Sequence, residues 1–175
     1  MDLRTERIVL RRLTADDVDD LVELDSDPEV MRFLTNGRPT PRAVIADEVL
    51  PAQLRVYARF PGLGRWAATD RATGAFLGWF ALDPGEDGRE AELGYRLRRD
   101  AWGRGLATEG SRALVAYGLR DVGLARVWAQ TMAVNAASRR VLEKAGLRHV
   151  RTFHVHFDDP IPGTELGEVE YERRR

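Results

Sequence analysis

The run Trp102-Gly103-Arg104-Gly105-Leu106-Ala107-Thr108 constrains this chain more than any other stretch, because it joins a strand-like segment, residues 89–97, to a helix-like one, residues 104–119. A turn with two glycines that opens a helix presents unpaired backbone N–H groups at the positive end of the helix dipole. Such a turn is a site for phosphate. Its spacing rejects two common phosphate binders. The dinucleotide fingerprint needs a third glycine where Thr108 stands, and no strand ending in an acid follows at the expected distance. A Walker A loop needs Gly-Lys-Ser/Thr, whereas Gly105 is followed by Leu106.

The elements around this turn alternate, without repeats or a low-complexity linker. Arg7 to Leu13 reads as a strand, and Thr14 caps a short helix whose first turn carries Asp16 and Asp17. Asp27-Pro28 restarts a second helix, and Thr40-Pro41 is a cap and first-turn pair for a third running to about Phe60, with a kink or break expected at Pro51. Gly64 to Asp70 and Ala75 to Leu82 read as strands, and the Pro84 to Gly88 turn leads into the strand that carries Glu92. Beyond the glycine loop, Leu106, Ala107, Gly110, Ala113, Leu114 and Tyr117 recur at helical spacing as a core-facing stripe. A strand over Arg126 to Met132, a helix from Ser138, and strands over His149 to Phe157 and Leu166 to Arg173 complete the series. This order predicts an α/β (α+β) fold, a mixed sheet with helices on both faces. Trp66, Trp79 and Trp128 fall on strands and read as core.

Composition narrows the classes. With 27 basic and 28 acidic residues the formal charge is −1, so no general attraction to nucleic acid or to an anionic membrane is expected. The longest uncharged stretch is the 12 residues from Val127 to Ser138. That is short of the roughly 20 needed to cross a bilayer. The N-terminal Met-Asp-Leu-Arg has no apolar core for a signal peptide, and a cytoplasmic protein is expected. The chain has no cysteine, which removes disulfides, a Cys-rich zinc site and an acyl-Cys intermediate at once. His154 and His156 share one face of the predicted strand, but two imidazoles without a third ligand do not make a metal site. They read as lining of a cleft or as surface, and Asp158-Asp159 as solvated charges or a lure for a cationic amine.

Three motifs, in order, resemble the GNAT N-acetyltransferases. Ala91-Glu92-Leu93-Gly94-Tyr95-Arg96-Leu97 is similar to the strand that enters the glycine loop in one branch of that family. The loop resembles the family's Arg/Gln-x-x-Gly-x-Gly/Ala segment, with Gly105 in the glycine position, Ala107 in the last one, and Trp102 where most members have Arg or Gln. Asn135-Ala-Ala-Ser138, ending in Lys144-Ala-Gly146-Leu147, resembles the segment that starts the helix beyond the pantetheine arm. The run continuing to Glu109 looks like the branch that holds the ribosomal-protein N-terminal acetyltransferases and many small-molecule acetyltransferases.

The resemblance implies one acetyltransferase domain over residues 1–175, with a mostly antiparallel central sheet whose central strands splay to admit the cofactor arm. It implies acetyl-CoA as donor. Main-chain amides of Trp102, Gly103, Arg104, Gly105, Leu106, Ala107 and Thr108 would wrap the pyrophosphate, with Tyr95, Arg96 and Leu97 also at the cofactor. Asn135 would hold the arm or a water near it, and Ser138 would sit close to the thioester sulfur. Asn135 and Gly146 also make a good helix N-cap and C-cap without any ligand. Arg96, Arg98, Arg99 and Arg104 are close enough in sequence to pair with the phosphates.

The chemistry fixes further needs. A lysine-like amine, with a pKa of about 10.4, arrives protonated and must lose a proton before attack. Glu92, beside the expected slot, is the first candidate base, with a solvated or salt-bridged strand residue as the alternative. Backbone amides of residues 92–97 are candidate donors to the developing oxyanion. Many family members protonate the leaving thiolate from a tyrosine four residues after the serine, but Leu142 stands there, which leaves Ser138 or a water it positions.

The expected acceptor is an amine-bearing small molecule or a peptide N-terminus, with no nucleic acid or membrane partner, in a monomer or homodimer. Residues 31–60 and 153–165 would shape the acceptor side. The alternatives are a catalytically silent acyl-CoA-binding sensor or interaction module, and an unrelated nucleotide-binding α/β domain.

Overall fold

The computed structural model describes residues 2–175. Its strands are β1 (Leu3–Arg4), β2 (Ile8–Arg12), β3 (Gly64–Asp70), β4 (Phe76–Pro84), β5 (Glu90–Leu97), β6 (Arg126–Met132), β7 (Arg148–Phe153) and β8 (Glu168–Arg174). They form one sheet in the order β1-β2-β3-β4-β5-β6-β8-β7. Every neighbouring pair is antiparallel except β5 and β6.

The two faces follow from strand alternation. On one face Leu82, Leu93, Val127 and Tyr171 meet helix α5 (Leu106–Tyr117), and α6 (Ala136–Lys144) adds Leu142. Gly110 of α5 lies so close to Phe80 that a Cβ there would overlap the ring. On the other face Ala67, Trp79 and Ala81 pack against Leu21 and Leu24 of α1 (Val18–Ser26) and against Leu50 of α4 (Leu50–Arg59). A bulge between Ala68 and Thr69 of β3 leaves Leu77 of β4 unpaired. This puts both Leu77 and Phe80 on the α5 side.

The first half of the chain holds one departure from expectation. Helix α2 (Pro28–Thr35) starts on the Asp27 cap as the sequence predicts, its side chain accepting the Glu29 N–H at 2.9 Å. The next helical stretch does not break at Pro51. It runs from α3 (Arg42–Val44) through a π-helical turn, Ile45–Val49, into α4. Within that turn the Leu50 N–H reaches the Ile45 carbonyl, so the ladder has already widened where proline can donate nothing.

The β5–β6 ladder sets the shape of the centre. It pairs only Glu90 with Arg126, Ala91 with Val127 and Glu92 with Trp128. Beyond Glu92, β5 stays bound to β4 as far as Leu97, and β6 stays bound to β8 as far as Met132. Each strand therefore follows its outer neighbour and the two diverge. This is the splay that the family resemblance implies, with Glu92 at its vertex.

Gly110→Ala tests the packing. The added methyl must displace Phe80 or α5, and overpacking of this kind typically costs about 1–3 kcal/mol. Urea unfolding should show a loss in that range, whereas an unchanged midpoint would mean that α5 does not sit this close to the sheet.

Candidate active site

The glycine loop lies at the top of β5, where Gly103 and Gly105 take φ values of 71° and 79°. In this left-handed region a side chain is strained. The first helical bond of α5 runs from the Glu109 N–H to the Gly105 carbonyl at 3.0 Å. The amides of Leu106, Ala107 and Thr108 thus have no acceptor within the helix. Leu106 is buried, so its contribution at the loop is its amide alone.

The loop is anchored by residues far away in sequence. Arg7 donates from Nη1 to the Arg104 carbonyl at 2.8 Å and from Nε to Glu109 Oε2 at 2.7 Å. Glu109 Oε1 accepts from Thr5 Oγ1 at 2.6 Å and from the Arg7 N–H at 2.8 Å. Burial pushes the Glu109 carboxyl up, but the hydrogen bonds from Thr5 and Arg7 outweigh it and hold the group below its ordinary range. Trp102, whose ring is half exposed, donates from Nε1 to the Leu97 carbonyl at 2.8 Å. The residue that departs from the family pattern therefore ties the start of the loop to the end of β5.

The arginines do not gather at the loop. Arg96 faces the opposite side of the sheet, ion-paired with Asp25 and stacked 5.2 Å from the Trp79 ring. Arg98 pairs with Glu23 at 2.8 Å and Arg99 with Asp27 at 3.4 Å. Only Arg104 belongs to the loop, 3.9 Å from Asp70. Strand alternation turned Arg96 away, and acids at the end of α1 captured the others. What Arg96 and Leu97 can offer in the cleft is main chain.

Asn135 Oδ1 accepts the Ser138 N–H at 3.1 Å and so caps α6. Its amide NH2 remains for other work. The helix thus presents Ser138 at the β6 side of the cleft, opposite Tyr95 on β5, with the two hydroxyls 2.9 Å apart.

At the vertex, Glu92 shares a sheet face with Asp83, its register partner on β4, and with Trp128 on β6. Among the described residues its carboxylate has no hydrogen-bond or ion-pair partner. Burial pushes its pKa up, the nearby Asp83 and Glu170 add to that, and Arg65 opposes it. The arginines on this face are committed elsewhere. Arg65 pairs with Asp83 at 3.2 Å, and Arg126 reaches Glu90 at 3.1 Å, Glu170 at 2.6 Å and Glu172 at 2.5 Å. Glu168, across the cleft on β8, is likewise pushed up by burial. Trp128, expected in the core, is half buried beside Glu92.

The histidine pair does not form. Strand β7 ends at Phe153, so His154 and His156 lie in an exposed segment without regular structure. His156 stands 3.9 Å from Asp158, and Asp159 pairs with Arg38 at 2.6 Å. Among the described residues no group of three His, Cys, Asp or Glu side chains could hold a metal ion.

Sequence reasoning missed Arg7, Glu109, Asp83, Glu170 and Glu168. Glu109 had a faint signal, an acid in the first turn of a helix. Its partners had none.

Residues 7–148 match the acetyltransferase (GNAT) domain family. The chain is 37% identical to the FsC-acetyl coenzyme A-N(2)-transacetylase of Aspergillus fumigatus over 180 residues, covering 97% of this chain and 74% of that protein. Its fold resembles the ribosomal L7/L12 α-N-protein acetyltransferase RimL in complex with coenzyme A, with a TM-score of 0.82, 15% identity, and coverage of 99% and 98% of the two chains. It also resembles spermidine N-acetyltransferase from Vibrio cholerae in complex with CoA and spermine, with a TM-score of 0.79, 16% identity, and coverage of 97% and 96%. No helix among the described residues is long and apolar enough to cross a membrane.

Two predictions follow from this geometry. A Cβ at Gly105 would meet only Arg7 Nη2 at 3.6 Å, so Gly105→Val is limited by its backbone rather than by space. The left-handed backbone costs about 1–2 kcal/mol. Calorimetry should show that modest loss of stability together with loss of CoA binding, whereas unchanged CoA affinity would place the phosphates elsewhere. The second concerns Glu92. A carboxyl with a raised folded pKa binds more protons when folded than when unfolded, so its charged form costs stability as pH rises through that window. Glu92→Gln should melt above the wild type at pH 7, with the gap closing as pH falls below the usual carboxylate range. Equal melting temperatures at pH 7 would mean that Glu92 carries no such penalty.

Proposed function

The chain belongs to the GNAT family of acetyl-CoA-dependent N-acetyltransferases, and on that premise we propose that it acetylates a primary amine, drawn to the vertex of the splayed strands, with Glu92 taking the amine's proton. The single observation that carries this reading is the half-buried, unpartnered carboxylate at the point where β5 and β6 part.

Acetyl-CoA supplies an acyl carbon activated by a thiolate leaving group. The residues here fit such a donor. The loop at 102–108 offers convergent amides to an anionic pyrophosphate. The backbone edges of residues 93–97 and 129–132, which have no strand partner across the gap, offer donors and acceptors to an amide-bearing arm. The Asn135 amide would hold that arm, and the Ser138 hydroxyl would face the sulfur.

Glu92 has to accept a proton from an ammonium group, directly or through one water. A carboxylate raised toward the working pH does this better than one at its ordinary value, since a base is most effective when its pKa approaches that pH. The surroundings raise it by burial and by neighbouring negative charge, and the same charges attract a cationic acceptor. Loss of the proton turns the amine into a nucleophile. No cysteine is present to carry the acyl group, which favours direct attack by the amine.

The A. fumigatus relative is named for N(2)-acetylation, and the two fold neighbours act on a protein N-terminus and on spermidine. These support an amine as acceptor. The acceptor would approach on the face that carries Glu92, Asp83 and Trp128.

The test pairs kinetics with binding. General base catalysis is typically worth about 10²- to 10⁴-fold, so Glu92→Gln should lower kcat/KM for amine acetylation by at least about a hundredfold at pH 7. Part of the loss should return as pH rises toward the amine's own pKa. CoA at about 100 times its dissociation constant should stabilise both proteins by roughly 2.7 kcal/mol. Near-normal kcat/KM in Glu92→Gln across pH 6 to 9 would make the carboxylate structural. CoA that stabilises neither protein would remove the donor reading as well.

A further inference from the structure

One hydrogen bond crosses the cleft. The Tyr95 hydroxyl lies 2.9 Å from Ser138 Oγ and 3.4 Å from the Ser138 carbonyl oxygen. Tyr95 rides on β5 and Ser138 sits in the first turn of α6, so this contact joins the two diverging halves. Among the described residues Ser138 Oγ has no other hydrogen-bond partner. A helical serine commonly turns its hydroxyl back to the carbonyl four residues earlier. That carbonyl, on Val134, accepts the Ala136 N–H at 2.8 Å instead. Two hydroxyls that share one hydrogen bond own two protons. When Tyr95 is the donor, the Ser138 proton is free to point into the cleft.

We propose that Tyr95 is a positioning residue, whose hydroxyl donates to Ser138 Oγ and thereby turns the Ser138 O–H toward the sulfur of the departing thiol. The inference rests on the preceding reading, in which Ser138 faces that sulfur. The Tyr95 ring is held against Phe80, centroid to centroid 5.9 Å, so its oxygen is fixed by packing. Burial pushes the phenol up to about 12, with the hydrogen bond to Ser138 working the other way. Tyr95 therefore stays protonated across the neutral range and can act as donor there.

The step balances without moving a proton from either hydroxyl. As the N–C bond forms, the C–S bond breaks and its electron pair goes to sulfur, which accepts a hydrogen bond from Ser138. A thiol has a pKa near 8.5, so the thiolate is too weak a base to strip a phenol held near 12. Water supplies the proton later. The sequence gives no hint of this pair, since the partners lie 43 residues apart.

The test uses Tyr95→Phe, Ser138→Ala and the double variant, each screened by melting temperature. Loss of the bond that orients Ser138 should cost about three- to tenfold in kcat for Tyr95→Phe, and loss of the Ser138 bond to the leaving group about tenfold for Ser138→Ala, with the KM for acetyl-CoA little changed. Because Tyr95 acts through Ser138, the double variant should be no slower than Ser138→Ala. A second readout needs no turnover. Above pH 9, where the thiol is ionised, calorimetry should find CoA bound more tightly than desulfo-CoA, and both single variants should shrink that ratio. Multiplied losses in the double variant, or a ratio unchanged by Tyr95→Phe, would overturn the proposal. Should Tyr95→Phe misfold, the Ser138→Ala ratio stands by itself, and no change there overturns the proposal equally. If wild type binds neither CoA nor desulfo-CoA, the donor reading fails before this one is reached.

Discussion

The structure depends on a ladder that stops. Strands β5 and β6 share three register pairs and then separate at Glu92 and Trp128, while each remains bound to its outer neighbour for its full length. A buried backbone that loses its partner must find another. The candidate site residues are arranged around that gap. The top of β5 leads to the glycine loop, the end of β6 leads to the Asn135 cap and Ser138, and the vertex holds Glu92. Stopping the ladder costs hydrogen bonds within the fold and leaves backbone donors and acceptors without a strand partner across the gap.

The second constraint is electrostatic. The face that carries Glu92 also holds Asp83, Glu90, Glu168, Glu170 and Glu172, and its guanidiniums are already engaged. Arg96 is held by Asp25, Arg65 by Asp83, and Arg126 by three glutamates at once. Arg126 loses solvation by burial, and its pKa is nonetheless raised by the hydrogen bonds it donates to Glu90, Glu172 and Glu170. Glu92 is left to face like charges with only Arg65 opposing them. A fold selected for stability alone would pair it. Leaving it unpaired costs stability, and under the proposed reading it keeps a base available.

Local features were legible in the sequence, and long-range ones were not. The glycine turn, the Asn135 cap and the strand from Arg126 to Met132 each rest on neighbours within a few residues, and the structure has all three. The order of elements was enough to predict the mixed sheet. What failed was adjacency taken as proximity. Arg96 lies near the loop in sequence, yet strand alternation sends its side chain to the other face. His154 and His156 would share a face only if β7 continued, and it ends at Phe153. Of the kink or break expected at Pro51 the break does not occur, because a π-turn just before it has already widened the ladder. The Arg7–Glu109 anchor joins residues 102 apart, and nothing local to Glu109 points to Arg7 as its partner.

Whether Glu92 is the ionising group that controls acetylation is tested most directly by its own titration. Labelled glutamate carboxyl carbons, with Glu92→Gln to assign the signal, give the Glu92 midpoint by NMR, and initial rates of CoA thiol release with a saturable primary amine give the acid limb of kcat/KM. With Glu92 as the base, its midpoint is expected above the ordinary glutamate range and coincident with the acid limb. A Glu92 midpoint at or below that range, or an acid limb that does not follow it, would contradict the account.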